Sequence, residues 1–357
     1  MKINFTVKLT AMTGGIRFVF EIANRLVEKG HDVTITALGG DHRWFPLKAE
    51  VNYVSLPKFF KFFDYVKRLI FRRKLYYYEL NTLARKIGLN IDMIKVLAKY
   101  TPDCDVNIAT RFLTAFAVYR SNKGIPVYLC QDFEESVAEK GDYYLKMFYE
   151  SLNLPMHFIT ISEWMKEWLS EYSNNVFLVR NGINHDIFYP RNVEKDGKYV
   201  MGIYRDLEYK GGKELIEALK IIKRNKNDVK TIVLGKDFGD ISYNRVSDKK
   251  LSELYNLADV FIYTSKVEGF GLPPLEAMAC GTAVVTTDCK GVREYIEDGK
   301  NGFIVPRNPK KIAEKSIELL EDEKLRRKIA RMGIKTAKKY NWDRSADEFE
   351  KILYKIV

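Results

Sequence analysis

A strand pattern followed by a helix pattern recurs along this chain, and the series runs twice. Residues 3–9 read as a strand, and Thr13-Gly14-Gly15 as a tight loop. Ile16, Val19, Phe20, Ile22, Ala23, Leu26 and Val27 then fall at helical spacing until Gly30, and residues 33–38 form the next strand. Two strands joined through a helix must pair in parallel, so the opening is a βαβ unit. Residues 105–109, 125–130, 157–161 and 176–179 extend the series, with a helix from Ser162 and a turn at Asn174-Asn175. A second series follows, with strands at 199–204, 231–235, 260–264, 283–287 and 303–305 and helices at 213–223 and 249–258. The expectation is an α/β chain of two Rossmann-like domains, 1–183 and 184–341. The polar stretch 183–198, with a proline and alternating charges, reads as the linker.

Length and composition agree with that reading. The chain has 357 residues, room for two full cores, and its 46% hydrophobic and 30% charged content describe a soluble globular protein. Residues 1–9 are too short and polar for the apolar part of a signal peptide, and no apolar run approaches the ~20 residues that span a bilayer. Cys104, Cys130, Cys280 and Cys289 are scattered, and neither they nor the four histidines have metal-ligand spacing. A reduced, cytoplasmic protein is expected. The net charge of +12 favours anionic partners without choosing among nucleic acid, lipid headgroups and nucleotide sugars.

The run Glu268-Gly269-Phe270-Gly271-Leu272-Pro273-Pro274-Leu275-Glu276 follows the strand 260–264. Pro273 and Pro274 suit the start of a helix, expected over 275–280 with Gly281 ending it. A glycine-rich loop entering a helix lets backbone N–H groups approach an anion. Glu276, expected in the first turn, would repel a phosphate; it suits a sugar diol, which donates hydrogen bonds. A carboxylate that merely caps the helix is the plain alternative.

This run resembles the E-x7-E signature of retaining glycosyltransferases of the GT-B fold, the family four group. Residues 280–285, 291–296 and 298–303 and the pair Trp342-Asp343 are similar to the same family. The resemblance implies two domains facing across a cleft, with the last helix, 342–357, crossing back to complete the first. It implies transfer of a sugar from a nucleoside-diphosphate sugar to an acceptor hydroxyl with retention. Glu276 would hold the ribose hydroxyls, Glu268 the donor sugar, and the backbone amides of Phe270, Gly271 and Leu272 would line the sugar and phosphate site.

Arg205 and Lys210, in Arg205-x4-Lys210-Gly211, match the family's diphosphate-binding motif. Fixed cations stabilise the charge on a departing diphosphate. That implies a reaction without a metal, and no Asp-x-Asp pair stands at the C-terminal end of an expected strand. Alone, the two would read sooner as surface cations in a chain rich in them; following a strand and preceding Gly211-Gly212 and a helix, they favour the functional reading. Tyr204, where the family usually has glycine, is expected to narrow the pocket. Gly14 and Gly15 would meet the donor phosphates and acceptor, although any sharp βα turn could use such a pair. Arg17 is suited to a phosphate or to solvent. Gln131 and Asp132 stand where many relatives carry a histidine near the donor sugar, in a run similar to one in bacterial rhamnosyltransferases; an Asp capping the next segment is the alternative. Asn181-Gly182-Ile183-Asn184 is similar to the family's hinge and is assigned a turn. Ser247 and Asp248 would cap the helix after them, and the loop 244–246 lies where relatives contact the base.

Residues 58–74 interleave Lys67, Arg68, Arg72, Arg73, Lys74 and further lysines with phenylalanines. Basic and aromatic residues at helical spacing describe a helix lying on an anionic membrane, or an amphipathic helix with its aromatics in the core. The first reading puts the protein at the inner face of the plasma membrane, acting on a glycan or lipid-linked acceptor, with no nucleic acid. A glycosyl phosphorylase and a non-catalytic lipid or RNA binder stay open as other classes.

Overall fold

The computed structural model describes residues 1–54 and 92–357. The basic stretch 58–74, with Lys67, Arg68, Arg72, Arg73 and Lys74, lies outside the described residues. One sheet holds β1 (Lys2–Val7), β2 (Asp32–Ala37), β3 (Glu50–Tyr53), β4 (Val106–Ala109), β5 (Ile125–Leu129), β6 (His157–Thr160) and β7 (Val176–Leu178), in spatial order β3-β2-β1-β4-β5-β6-β7. The other holds β8 (Tyr199–Ile203), β9 (Lys230–Leu234), β10 (Ile241–Tyr243), β11 (Val260–Tyr263), β12 (Ala283–Thr287) and β13 (Phe303–Val305), in order β10-β9-β8-β11-β12-β13. Every pairing is parallel. The alternation expected from the sequence is thus present in both halves.

Each sheet reverses its strand order once, between β1 and β4 and between β8 and β11. At such a switch point the loops leaving the strand ends part and open a crevice, where ligands of α/β folds bind. The loop after β1 leads into Gly14 and Gly15, which open the helix Gly14–Glu28 two residues earlier than expected, and the segment after β8 carries Arg205 to Lys210. The edge strands β3 and β10 were not expected. At four and three residues, partly exposed, they are too short to display a period. The helix Phe112–Ser121 is also additional; Phe112, Ala115, Ala117 and Val118 are all buried, so its apolar positions do not keep to one face.

The final helix, Trp342–Ile356, returns to the first sheet. Trp342 meets Phe18 edge-on at 5.8 Å between ring centroids, and Phe349 lies 6.0 Å from Phe5. Each buried aromatic contributes roughly 1.5–3 kcal/mol. Arg25 pairs with Asp343 at 2.6 Å and His31 with Glu350 at 2.8 Å along the same contact. The stretch 183–198 has neither helix nor strand, yet it is no free spacer. Ile183 and Phe188 are buried, Ile183 bridges to Asn341, and the Arg191 N–H donates to Asn256 at 2.6 Å. No helix among the described residues is long and apolar enough to cross a membrane.

Gly182 lies directly beneath the start of the last helix, and a β-carbon there would collide with the backbone nitrogen of Trp342. A Cβ at Gly197 meets nothing within 4 Å. Gly182→Ala should therefore cost roughly 1–3 kcal/mol, as overpacked sites do, while Gly197→Ala should leave the melting temperature nearly unchanged. Equal melting temperatures for the two variants would show that the helix junction tolerates displacement.

Candidate functional site

A cavity of about 510 Å3 lies between the two sheets and is lined from both. Gly14, Gly15, Gln131 and Asp132 line it from the first domain, with Arg205 and Lys210 from the second. Glu268, Phe270, Gly271, Leu272 and Glu276 complete the wall. The structure therefore brings these residues, all nominated from the sequence, to one place.

The loop after β11 is built around Glu268, whose carboxylate is nearly buried. Lys210 Nζ donates to both of its oxygens, at 2.7 and 2.8 Å. The Tyr263 hydroxyl donates to Oε1 at 2.5 Å and the Ser265 hydroxyl at 2.7 Å. Three donors thus converge on Oε1, and Oε2 keeps capacity to accept from a ligand hydroxyl. Trp164 Nε1, from the first domain, donates to the carbonyls of Glu268 and Gly269, each at 3.1 Å. Lys210 is thereby a paired cation. Arg205 is exposed and makes no ion pair among the described residues. The two cations of the motif differ in state.

Gly271 takes φ +84°, a conformation costly for any other residue, and turns the chain into the helix Leu272–Ala279. That helix begins three residues earlier than the expected 275–280, so both prolines fall within its first turn. Glu276 is displaced from the first turn to the second, and no acid occupies the first. It does not cap the helix. Its Oε2 accepts from the Tyr255 hydroxyl at 3.3 Å, deep in the cleft wall. Burial pushes its carboxyl up from the ordinary 4.5 to about 7; the Arg17 guanidinium lowers it in part, and Asp248 adds to the rise. The Phe270 ring turns into the core against Tyr295 and Tyr340, so Phe270 offers the cleft its backbone.

Arg17 lines the cavity and does not stand free in solvent. It forms a two-pronged bridge across the cleft to Asp248, at 2.7 and 2.8 Å. Ser247 caps the helix Asp248–Leu257 by accepting from the Lys250 N–H, and Asp248 faces Arg17. Gln131 lies against Gly15, donating weakly to its carbonyl at 3.4 Å. Asp132 pairs with Arg111 at 2.5 Å and accepts from the Phe112 N–H at 3.4 Å, so it braces the helix before it rather than the segment after it. Tyr204 is absent from the cavity wall. Its ring packs over Gly212 and under Lys236, so it does not narrow the pocket. The loop 244–246 does line the cavity.

Two further wall residues are not evident as cleft residues from the sequence. Arg111 follows β4 by two positions, and the C-terminal ends of parallel strands are where such groups gather. Asn181, assigned to a turn, lines the cavity with a buried Oδ1 that has no hydrogen-bond partner among the described residues. A free amide oxygen of that kind suits a ligand hydroxyl.

Two parallel α/β domains, with fixed cations, loop amides and two buried carboxylates on one cleft, define an α/β protein able to hold a ligand that is anionic at one end and hydroxylated at the other. A Glycosyltransferase Family 4 model matches residues 12–187, and a Glycosyl transferases group 1 model matches residues 185–336. The chain belongs to the group 1 glycosyl transferases. It is 28% identical over 219 residues to an uncharacterized glycosyltransferase of Methanocaldococcus jannaschii, covering 57% of this chain and 60% of that protein. It is 28% identical over 261 residues to the N,N'-diacetylbacillosaminyl-diphospho-undecaprenol alpha-1,3-N-acetylgalactosaminyltransferase of Campylobacter jejuni, covering 64% and 68%. The alignment with the first of these thus spans less than two thirds of the relative's length. Among solved structures, Anabaena HepE in complex with UDP and glucose superposes with a TM-score of 0.75 at 17% identity, covering 99% of each chain. Sucrose-phosphate synthase from Thermosynechococcus elongatus gives 0.74 at 16%, covering 99% and 98%. Both likenesses concern the GT-B fold.

The Glu276 carboxyl supplies a test that needs no ligand. A raised pKa means that the folded state favours the protonated form. Its benefit is full below the unfolded value, near 4.5, and is lost as pH climbs to about 7. Glu276→Gln should be nearly neutral at pH 4.5 and stabilising at pH 8, by on the order of 3 kcal/mol. Thermal melts across this range should show the gap widening; a gap independent of pH would place the carboxylate in a polar, wet setting.

Proposed function

We propose that this chain is a retaining glycosyltransferase that moves a sugar from a nucleoside-diphosphate sugar to a hydroxyl of a lipid-linked or membrane-presented glycan, without a metal ion. The observation that carries the reading is the convergence of Arg205, Lys210, Glu268, Glu276 and the 270–272 amides on one cavity. Glu276, once ionised, accepts from the ribose hydroxyls, and Glu268 Oε2 from the sugar. The loop amides receive the phosphates. Arg205, exposed and without an ion pair among the described residues, meets the leaving diphosphate first; Lys210 shares its charge between Glu268 and the ligand. The bond from the anomeric carbon to the phosphate oxygen breaks, and the bond to the acceptor oxygen forms on the same face. The acceptor proton passes to the leaving phosphate oxygen, so no separate general base is needed. Nearby cations in a closed cleft stabilise that developing charge as a metal would.

The acceptor class is supported by the Campylobacter relative, whose name specifies a diphospho-undecaprenol-linked sugar, and by the basic residues of 58–74. Each cation beside an anionic surface adds about 1 kcal/mol. UDP, present in the Anabaena neighbour, is the first nucleotide to test.

Arg205→Ala should lower turnover roughly tenfold to a thousandfold with the melting temperature unchanged. Lys210→Ala should in addition lose about 3–5 kcal/mol of stability, because it strands the buried Glu268 carboxylate. Turnover of the wild type should persist in excess EDTA, and proton NMR should show the donor's anomeric configuration kept in the product. Abolition by EDTA with recovery on adding manganese, or an inverted product, would overturn the mechanism. Stimulation by inorganic phosphate would mark a phosphorylase.

A further inference from the structure

Arg111 lines the first-domain side of the cavity, outside the donor site described above, and Lys8 and Lys140 stand near it. In register, Thr6 of β1 stands beside Ala109 of β4. Lys8 follows the end of β1 and Arg111 follows β4 by two positions, so both leave the C-terminal edge of the sheet from neighbouring strands. Arg111 lines the cavity and is held by Asp132 through one nitrogen, Nη2 at 2.5 Å; its other N–H groups make no hydrogen bond among the described residues. Lys140 closes the group, its Nζ 5.7 Å from the centre of the Phe112 ring next to Arg111. Burial and then repulsion from Arg111 push both lysines down to about 8, and Lys140 adds to the effect at Lys8. For Lys140, Asp132 and Glu139 offset this in part, and Glu139 also accepts the Glu208 N–H across the cleft at 3.1 Å.

Like charges held together raise one another's energy, and an anion entering among them relieves that repulsion. An arginine fork already oriented by a carboxylate, with donors left over, matches a tetrahedral oxyanion. We propose that Lys8, Arg111 and Lys140 form an acceptor subsite for a phosphate group, so that the acceptor carries a phosphate near the hydroxyl that receives the sugar. The inference rests on the transferase reading for the word acceptor; the anion site itself stands on the cluster. A phosphorylated soluble sugar and a lipid-linked phosphate share this chemistry.

The test is isothermal titration of inorganic phosphate and of hexyl phosphate into the full chain, with UDP in excess. Both probes should bind the wild type. Lys8→Gln/Lys140→Gln should weaken both by roughly tenfold or more, through loss of two charge-assisted contacts, with UDP affinity unchanged. Tighter binding of hexyl phosphate than of phosphate assigns a lipid-linked acceptor, and equal binding a soluble one; either supports the subsite. Arg111→Gln strands Asp132, so its melting curve is recorded beside its titration, and the double lysine variant is the deciding one. Phosphate binding unaltered in the double variant, or UDP affinity lost together with it, overturns the proposal; the second result would give these cations to the donor. Absence of UDP binding by the wild type, with phosphate still bound at Lys8 and Lys140, would count against UDP as the donor nucleotide and leave the anion site standing.

Discussion

The Glu268 carboxylate is the constraint on which the rest of the site depends. A buried carboxylate is tolerable only when paired and hydrogen-bonded, and Lys210, Tyr263 and Ser265 meet that condition together. The bonds join the end of β11, the loop after it and the loop after β8. Because Trp164 of the first domain holds the Glu268 and Gly269 carbonyls, the same loop also registers one domain against the other. A change at Glu268 would therefore disturb the cation site, the amide loop and the cleft width at once.

The cleft is fastened at two further places. Arg17 bridges to Asp248 near Glu276, and Arg180 joins Glu163 of its own domain to Glu294 of the other, each of the Arg180 contacts at 2.8 Å. The last helix ties the second domain back to the first through Trp342 and Phe349. Such contacts fix two groups of opposite character on facing walls. One wall bears the carboxylates Glu268 and Glu276, and both bear cations. The proximity of Arg17 to Glu276 matters because it is the main force opposing burial at that carboxyl.

Much of this was legible in the sequence, for identifiable reasons. Long apolar strands and helices with one clean face, such as residues 14–28, declare themselves by period. The nominated residues Gly14, Gly15, Arg205, Lys210, Glu268 and Glu276 come together because each follows the C-terminal end of a parallel strand, which topology gathers at one edge. Tertiary partners were not legible. Nothing local shows that Lys210 is bound to Glu268, that Arg17 crosses to Asp248, or that Asp132 orients Arg111. The shift of Glu276 into the second turn was hidden because prolines are tolerated at several first-turn positions. The place of Tyr204 was equally hidden, because its ring is set by Gly212 and Lys236, which only the fold brings to it.

Whether Glu276 serves a ligand or the fold is open to direct measurement. The experiment is isothermal titration of UDP into the wild type and Glu276→Ala, with melting curves for both. Loss of hydrogen bonds to a diol should weaken binding by roughly 1–3 kcal/mol, with the variant's melting temperature at or above that of the wild type near pH 8. Unaltered affinity with a clearly lower melting temperature would contradict the ligand-binding role and return Glu276 to a structural one.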